Sequence, residues 1–137
     1  LIKEAVGEDF MVYGGADELA SSNLLVGVDG IVGSFYNLIP DLFIEINKSI
    51  KNNEVARAYD LQKHAVRIIS YLVEGGNMVA GIKAVLREAG INAGYARKPF
   101  INFYDEDQKN LARGLVDLAD EHKMENIHII DLLREKY

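Results

Sequence analysis

Two short stretches of the 137-residue chain combine small residues with groups able to hold a ligand. The first runs from Tyr13 to Glu18 (YGGADE). Gly14 and Gly15 let backbone approach a bound molecule, and the adjacent carboxylates of Asp17 and Glu18 can accept hydrogen bonds from several hydroxyls. The second runs from Gly33 to Asn37 (GSFYN), where Ser34 offers a small donor and acceptor while Gly30 and Gly33 keep the adjoining segment open. Carboxylates and a hydroxyl gathered in this way suit a polyhydroxylated ligand. Each stretch also has a purely local reading, which stays open: Asp17 and Glu18 as charges complementing a helix dipole, Ser34 and Asn37 as turn and capping residues.

Other chemistry-bearing residues say less. His64, His122 and His128 are separated by 58 and 6 residues, intervals that do not set two imidazoles on one helical face, so no metal site is expected. Arg97 and Lys98 lie in an irregular stretch and read as a solvated basic patch, with an anion or a subunit contact as the other option. Gly14 and Gly15 lack the further glycines and the Lys-Ser/Thr of a phosphate loop.

Both glycine-rich stretches sit where strands should end. Asp9 to Tyr13 is a compact apolar run, and Val28 to Ser34 a second one rich in β-branched residues. Between them, Ala16 to Val26 has helix formers, acidic residues in its first turn and Gly27 as a stop. Strand, helix and strand joined tightly make a βαβ unit with parallel strands, and in parallel sheets ligands bind at the carboxyl ends of the strands. Leu1 to Val6 reads as the last turns of a helix ending near Gly7.

From residue 38 the pattern is helical throughout. Asn37 is expected to cap a helix with Pro40 in its first turn, running to about Lys51. Asn53 is expected to cap a longer one with a stripe of Val55, Leu61, Ala65, Ile68, Ile69, Leu72 and Val73, stopped by Gly75 and Gly76. Met78 to Ala89, Asp105 to Lys123 and Ile127 to Lys136 follow, with an irregular stretch from Ile91 to Tyr104.

Composition narrows the function classes. Fifteen basic against twenty-one acidic residues give a net charge of -6, which argues against a nucleic-acid binder held by phosphate contacts. No cysteine is present, which excludes a disulfide framework, a thiolate nucleophile and Cys-based metal centres, and fits a cytoplasmic protein. No uncharged run approaches the roughly 20 residues of a membrane helix, so no membrane partner is expected. The size is that of one domain, yet two strands cannot stabilise a parallel sheet, which needs neighbours on both edges and helices on both faces. Further strands are expected from a preceding segment or another chain.

Taken together, YGGADE at 13–18, GVDGIVGSFYN at 27–37 and GYARKPF at 94–100 resemble the carboxyl-terminal half of the N-acetylneuraminate lyase and dihydrodipicolinate synthase superfamily of class I aldolases. The resemblance implies an α/β fold: strands 7 and 8 of a TIM (β/α)8 barrel, followed by a C-terminal helical region. Residues 1–51 would be the last βα units, and residues 52–137 helices that pack on the barrel rather than an independent domain. Such a barrel needs roughly 250 residues, so this chain is about half of one.

The resemblance also implies an activity. Gly15, Asp17, Glu18 and Ser34 match the lyase positions that hold the polyol of the sugar acid, and Glu18 and Ser34 favour that branch over dihydrodipicolinate synthases. Departures are Phe35 where Thr is usual, Gly14 where Asn is common and Ala16 where an aromatic often stands. The implied reaction is cleavage of N-acetylneuraminate to N-acetylmannosamine and pyruvate through a lysine Schiff base, without a cofactor, in a homotetramer. In the family the lysine and a proton-shuttling tyrosine come from earlier strands. None of the nine lysines here lies in a strand segment or in the turn just after one, so no catalytic residue is expected in this chain and the chain alone is expected to be inactive. The alternatives are a dihydrodipicolinate synthase-like or other pyruvate-dependent 2-oxo acid aldolase and, in a different class, a non-catalytic helical interaction module or a complementing half-barrel.

Overall fold

A computed structural model describes every residue from Leu1 to Tyr137. Helix α1 (Ile2–Val6) leads through a loop into β1 (Tyr13–Gly14). A 3-10 turn (Asp17–Leu19) and helix α2 (Ala20–Leu25) return the chain to β2 (Gly30–Ile31). The strands pair in parallel, Tyr13 opposite Gly30 and Gly14 opposite Ile31. The expected strand–helix–strand unit is therefore present, but each strand is two residues long rather than five to seven. Each has a single partner, so the flanking residues make only isolated bonds, such as Asp29 N–H to the Val12 carbonyl at 2.8 Å and Val32 N–H to that of Gly14 at 2.9 Å. Phe10, Met11, Tyr13 and Val32 remain exposed because no second layer covers them.

After β2 a second 3-10 turn (Phe35–Asn37) precedes α3 (Pro40–Lys51). This turn displaces the expected cap: Asn37 donates its side-chain amide to the Ser34 carbonyl at 3.1 Å, and Ile39 stands at the start of the helix. Asn53 likewise does not cap α4 (Val55–Glu74). It adopts a left-handed conformation (φ 59°) that turns the chain one residue earlier, leaving Glu54 at the cap. Helix α5 (Met78–Glu88) is capped by Asn77, whose side chain accepts the Ala80 N–H at 3.1 Å. The chain finishes with α6 (Asp105–Glu121) and α7 (His128–Arg134).

Helix α4 is the spine of the core. It buries Ala58, Gln62, Ala65, Ile68, Ile69 and Leu72 against α2, α3, α5 and α6. Val55 and Val73, expected in that stripe, are half exposed: Val55 opens the helix, and Val73 lies one residue, about 100° of rotation, past the buried Leu72. A single apolar cluster runs from Ala20 through Leu133. Met124, Ile127, Ile130 and Leu133 are all almost completely buried in it, so the last fifteen residues are core and not a tail. The N-terminus of α7 is held by Asp41 of α3, whose carboxylate accepts the His128 N–H at 2.5 Å.

Glu88, at the end of α5 and only 5% exposed, fixes the C-terminus. It accepts hydrogen bonds from the Gln108 amide (2.7 Å) and the Tyr137 hydroxyl (2.9 Å), and pairs with the Lys136 ammonium at 2.6 Å. Arg87 beside it organises the irregular stretch, reaching the carbonyls of Gly94 and Phe103 and the side chain of Gln108 while its guanidinium lies over the Tyr95 ring. No helix is long and apolar enough to cross a membrane.

Candidate functional site

One carboxylate ties the carboxyl ends of the two strands together. Asp17 is buried, and its Oδ2 accepts the N–H of Phe35, the first residue of the turn after β2, at 2.7 Å. Gly33 makes this approach possible, since a Cβ there would overlap the Asp17 carboxylate. Ala16 supports the same geometry from the other side by adopting φ 61°, a conformation that costs a non-glycine residue of order 1 kcal/mol or more. Gln62 of α4 clamps the loop: its amide donates to the Asp17 carbonyl at 3.1 Å and its Oε1 accepts the Ser21 N–H at 2.8 Å. Gln62 stands outside the two candidate stretches. Its signal was a polar residue at a buried register of the α4 stripe, four residues after Ala58 and three before Ala65.

The four candidate residues are placed differently. Asp17 joins the loops and keeps its Oδ1 without a hydrogen bond inside the chain. Gly15 is exposed, with its carbonyl accepting from Asn23 at 2.6 Å. Glu18 is exposed on a cavity of about 460 Å³ that also presents Ser21, Ser22 and Arg67. Ser34 is exposed on a separate cavity of about 540 Å³, shared with Asn37, Val79, Ile82, Lys83 and Leu86. The Asp17 to Phe35 bond thus brings the two loops together, while Glu18 lines one hollow and Ser34 another.

Tyr36, next to that bond, lies within the second candidate stretch, where its neighbours alone carry an expected role. Its hydroxyl is buried without a hydrogen-bond partner. Burial, followed by the negative charges of Asp17 and Glu18, pushes the phenol up to about 12. It is a neutral donor held beside two carboxylates.

At the opposite, amino end of the strands, Asp29 accepts the Lys3 ammonium at 2.7 Å and the Val12 N–H at 2.8 Å, which hold its carboxyl below the ordinary value. Lys3 is therefore engaged away from the site. Burial, followed by the charges of Arg67 and His122, lowers the His64 imidazole, and no three metal-ligating side chains come together anywhere. A larger cavity of about 710 Å³ lies between the end of α4, α6 and the Pro99 to Phe103 stretch. Its Tyr71 hydroxyl and Asn77 amide are bonded to the carbonyls of Leu111 and Ile101, while Asp107 and Asn110 line it without a side-chain hydrogen bond inside the chain.

A parallel strand pair, entered by a helix, crossed over by another and ending in two loops joined by a buried bond, defines part of an α/β protein of the parallel class. The chain belongs to the dihydrodipicolinate synthetase family, whose family model matches residues 1–118. It is 34% identical over 115 residues to N-acetylneuraminate lyase 2 of Escherichia coli O6:H1, covering 83% of this chain and 37% of that protein. It is 28% identical over 125 residues to N-acetylneuraminate lyase of Mediterraneibacter gnavus, covering 90% and 40%. Among solved structures, the sialic acid aldolase of Ruminococcus gnavus superposes with a TM-score of 0.74 at 29% identity, over 88% of this chain and 42% of that one. A dihydrodipicolinate synthase of Bacillus anthracis gives 0.71 at 25% identity, over 83% and 38%. The chain thus spans about two fifths of the length of its relatives, and its fold matches part of TIM-barrel aldolases.

Proposed function

We propose that this chain is the carboxyl-terminal portion of a (β/α)8-barrel class I aldolase, comprising strands seven and eight and the helices beyond them. In this reading it forms the wall that holds the polyol of N-acetylneuraminate while the sugar acid is cleaved to N-acetylmannosamine and pyruvate. The observation that carries the reading is the Asp17 to Phe35 bond, which fixes two loops bearing Glu18 and Ser34 at the same end of a parallel strand pair. Gly15, Asp17 Oδ1, Glu18 and the Ser34 hydroxyl would take the substrate hydroxyls, with the sugar acid bridging the Glu18 and Ser34 hollows across the joined loops.

The Schiff base would form on a lysine outside this chain. The amine attacks the 2-oxo carbon, water leaves, and the iminium accepts the electron pair released when the bond to the sugar aldehyde breaks. Two observations support placing that lysine elsewhere. Lys3 is paired with Asp29 at the far end of the strands, and Lys83, the lysine on the Ser34 cavity, donates to the Ala93 carbonyl at 2.5 Å. The remaining barrel would cover the exposed row of Leu1, Ile2, Val6, Phe10 and Met11.

Two measurements on this chain test the reading. Incubated with pyruvate and borohydride, it should show no mass increase from a reduced adduct, and such an adduct would place the chemistry here. Titration with N-acetylmannosamine should move the amide resonances of Gly15, Glu18 and Ser34. If none moves, the sugar wall is refuted. The similarity to the Bacillus anthracis synthase favours a second reading, a pyruvate aldolase with another acceptor aldehyde, and a larger response to a smaller aldehyde than to the sugar would select it.

A further inference from the structure

The Ser34 cavity has two chemically distinct sides. Ser34, Asn37 and Lys83 give it a polar edge, and Val79, Ile82, Leu86, Ile91 and Ala93 give it an apolar wall. Its volume of about 540 Å³ is within the range of small-molecule sites. The polar edge has capacity left over. The Ser34 side chain makes no hydrogen bond within the chain, and Asn37 uses its amide nitrogen on the Ser34 carbonyl but leaves its oxygen free. Lys83 places one of its three ammonium protons on the Ala93 carbonyl, leaving two donors. Val79 is only partly buried and stands outside the apolar cluster that holds the fold together, so this wall is not simply core.

Hydroxyl recognition at one edge, a cationic donor beside it and an apolar wall behind do not suit a bare polyol. They suit a polyol carrying an acyl group, whose carbonyl accepts from the ammonium while its alkyl part rests on the wall. We infer that this cavity is an acyl subsite: Lys83 selects substrates whose amine is acylated, and Val79, Ile82 and Ala93 set the length of acyl chain admitted. The inference rests on the proposed sugar-binding role of Ser34. Lys83 acts by two effects of the same sign, since it donates to an acyl carbonyl and repels the ammonium of an unacylated amino sugar. It takes no part in bond making or breaking and is a specificity-determining residue.

The test titrates this 137-residue chain with mannosamine, N-acetylmannosamine and N-butanoylmannosamine, following the amide resonances of Glu18 and Ser34 and the methyl resonances of Val79, Ile82 and Ala93. The acylated sugars should move the methyl signals and bind more tightly than mannosamine, and Lys83→Met should cut that preference about tenfold. Val79→Phe, which fills the cavity from a position outside the core cluster, should reject the butanoyl sugar more than the acetyl one and so controls for any loosening of the Ala93 loop by the lysine change. If the three sugars move Glu18 and Ser34 alike and leave the methyl groups still, the acyl subsite is overturned while the sugar wall stands. If no sugar moves Glu18 or Ser34, the sugar wall itself falls and the subsite with it.

Discussion

The carboxylate of Asp17 and the backbone of Phe35 form the one side-chain bond that spans the two strand-end loops, at 2.7 Å and buried from solvent. A carboxylate accepting a buried N–H contributes more than a neutral pair, and its loss leaves that N–H unsatisfied. Asp17→Ala should therefore destabilise the chain by about 2 kcal/mol in a denaturant titration. Exposed Glu18, changed to alanine, should stay within about 0.5 kcal/mol of the parent. Equal losses at both positions would show that the bond does not hold the loops.

Gly33 and Asp17 should behave as a coupled pair. A Cβ at residue 33 overlaps the Asp17 carboxylate, so Gly33→Ala should destabilise the parent chain strongly. In an Asp17→Gly background the three atoms nearest that Cβ are gone. A double-mutant cycle should give a coupling of about 1–3 kcal/mol, and simple additivity would place the carboxylate somewhere other than over Gly33.

Glu88 predicts an acid-sensitive C-terminus. Burial pushes its carboxyl up, but hydrogen bonds from Gln108, Lys136 and Tyr137 and the charge of Lys136 outweigh this and bring it from 4.5 down to about 2. A depressed folded-state value means that the stabilisation is complete above the unfolded value and is lost as pH falls through the folded one. Thermal stability should therefore drop as pH falls between about 4.5 and about 2, by a total on the order of 3 kcal/mol. Glu88→Gln should lower stability near neutral pH and flatten that slope. An unchanged slope would show that other carboxylates carry it.

The family model ends at residue 118, yet Leu133 is completely buried. Leu133→Ala should cost about 2–5 kcal/mol, as for other core leucines. A loss below about 0.5 kcal/mol in urea unfolding would make the last helix a detachable appendage.

Much of this architecture can be read from residue patterns, with losses at specific points. The parallel strand–helix–strand order follows from two apolar runs, the second rich in β-branched residues, around one stretch of helix formers, and the position of α5 from Met78, Ile82 and Gly90, whose φ of 88° ends the helix. Strand length could not be read, because pairing depends on neighbours along the edge and not on the run itself. Caps at Asn37 and Asn53 were misassigned because asparagine serves turns and left-handed positions as readily as helix starts. In the site, Asp17 and Glu18 look equivalent side by side in the chain. A 3-10 turn separates them, sending one inward to Phe35 and the other to solvent. Gln62 and Lys83 are hidden for the opposite reason: Gln62 bonds the Asp17 loop and Lys83 lines the Ser34 cavity from helices roughly 45 residues away, a distance no local pattern spans.

Arg87 gathers the irregular stretch between α5 and α6 with one guanidinium, bonded to Gly94, Phe103 and Gln108. Lys83, Asn77 and the Asn102–Ala96 pair add further tethers, yet a segment with few buried apolar residues opens before the helices around it. That makes it the natural entry point for proteolysis, with Arg97 and Lys98 standing exposed at its centre. Nicking there would separate α1–α5 from α6 and α7, and the two pieces would stay associated through their shared core until denaturant parted them.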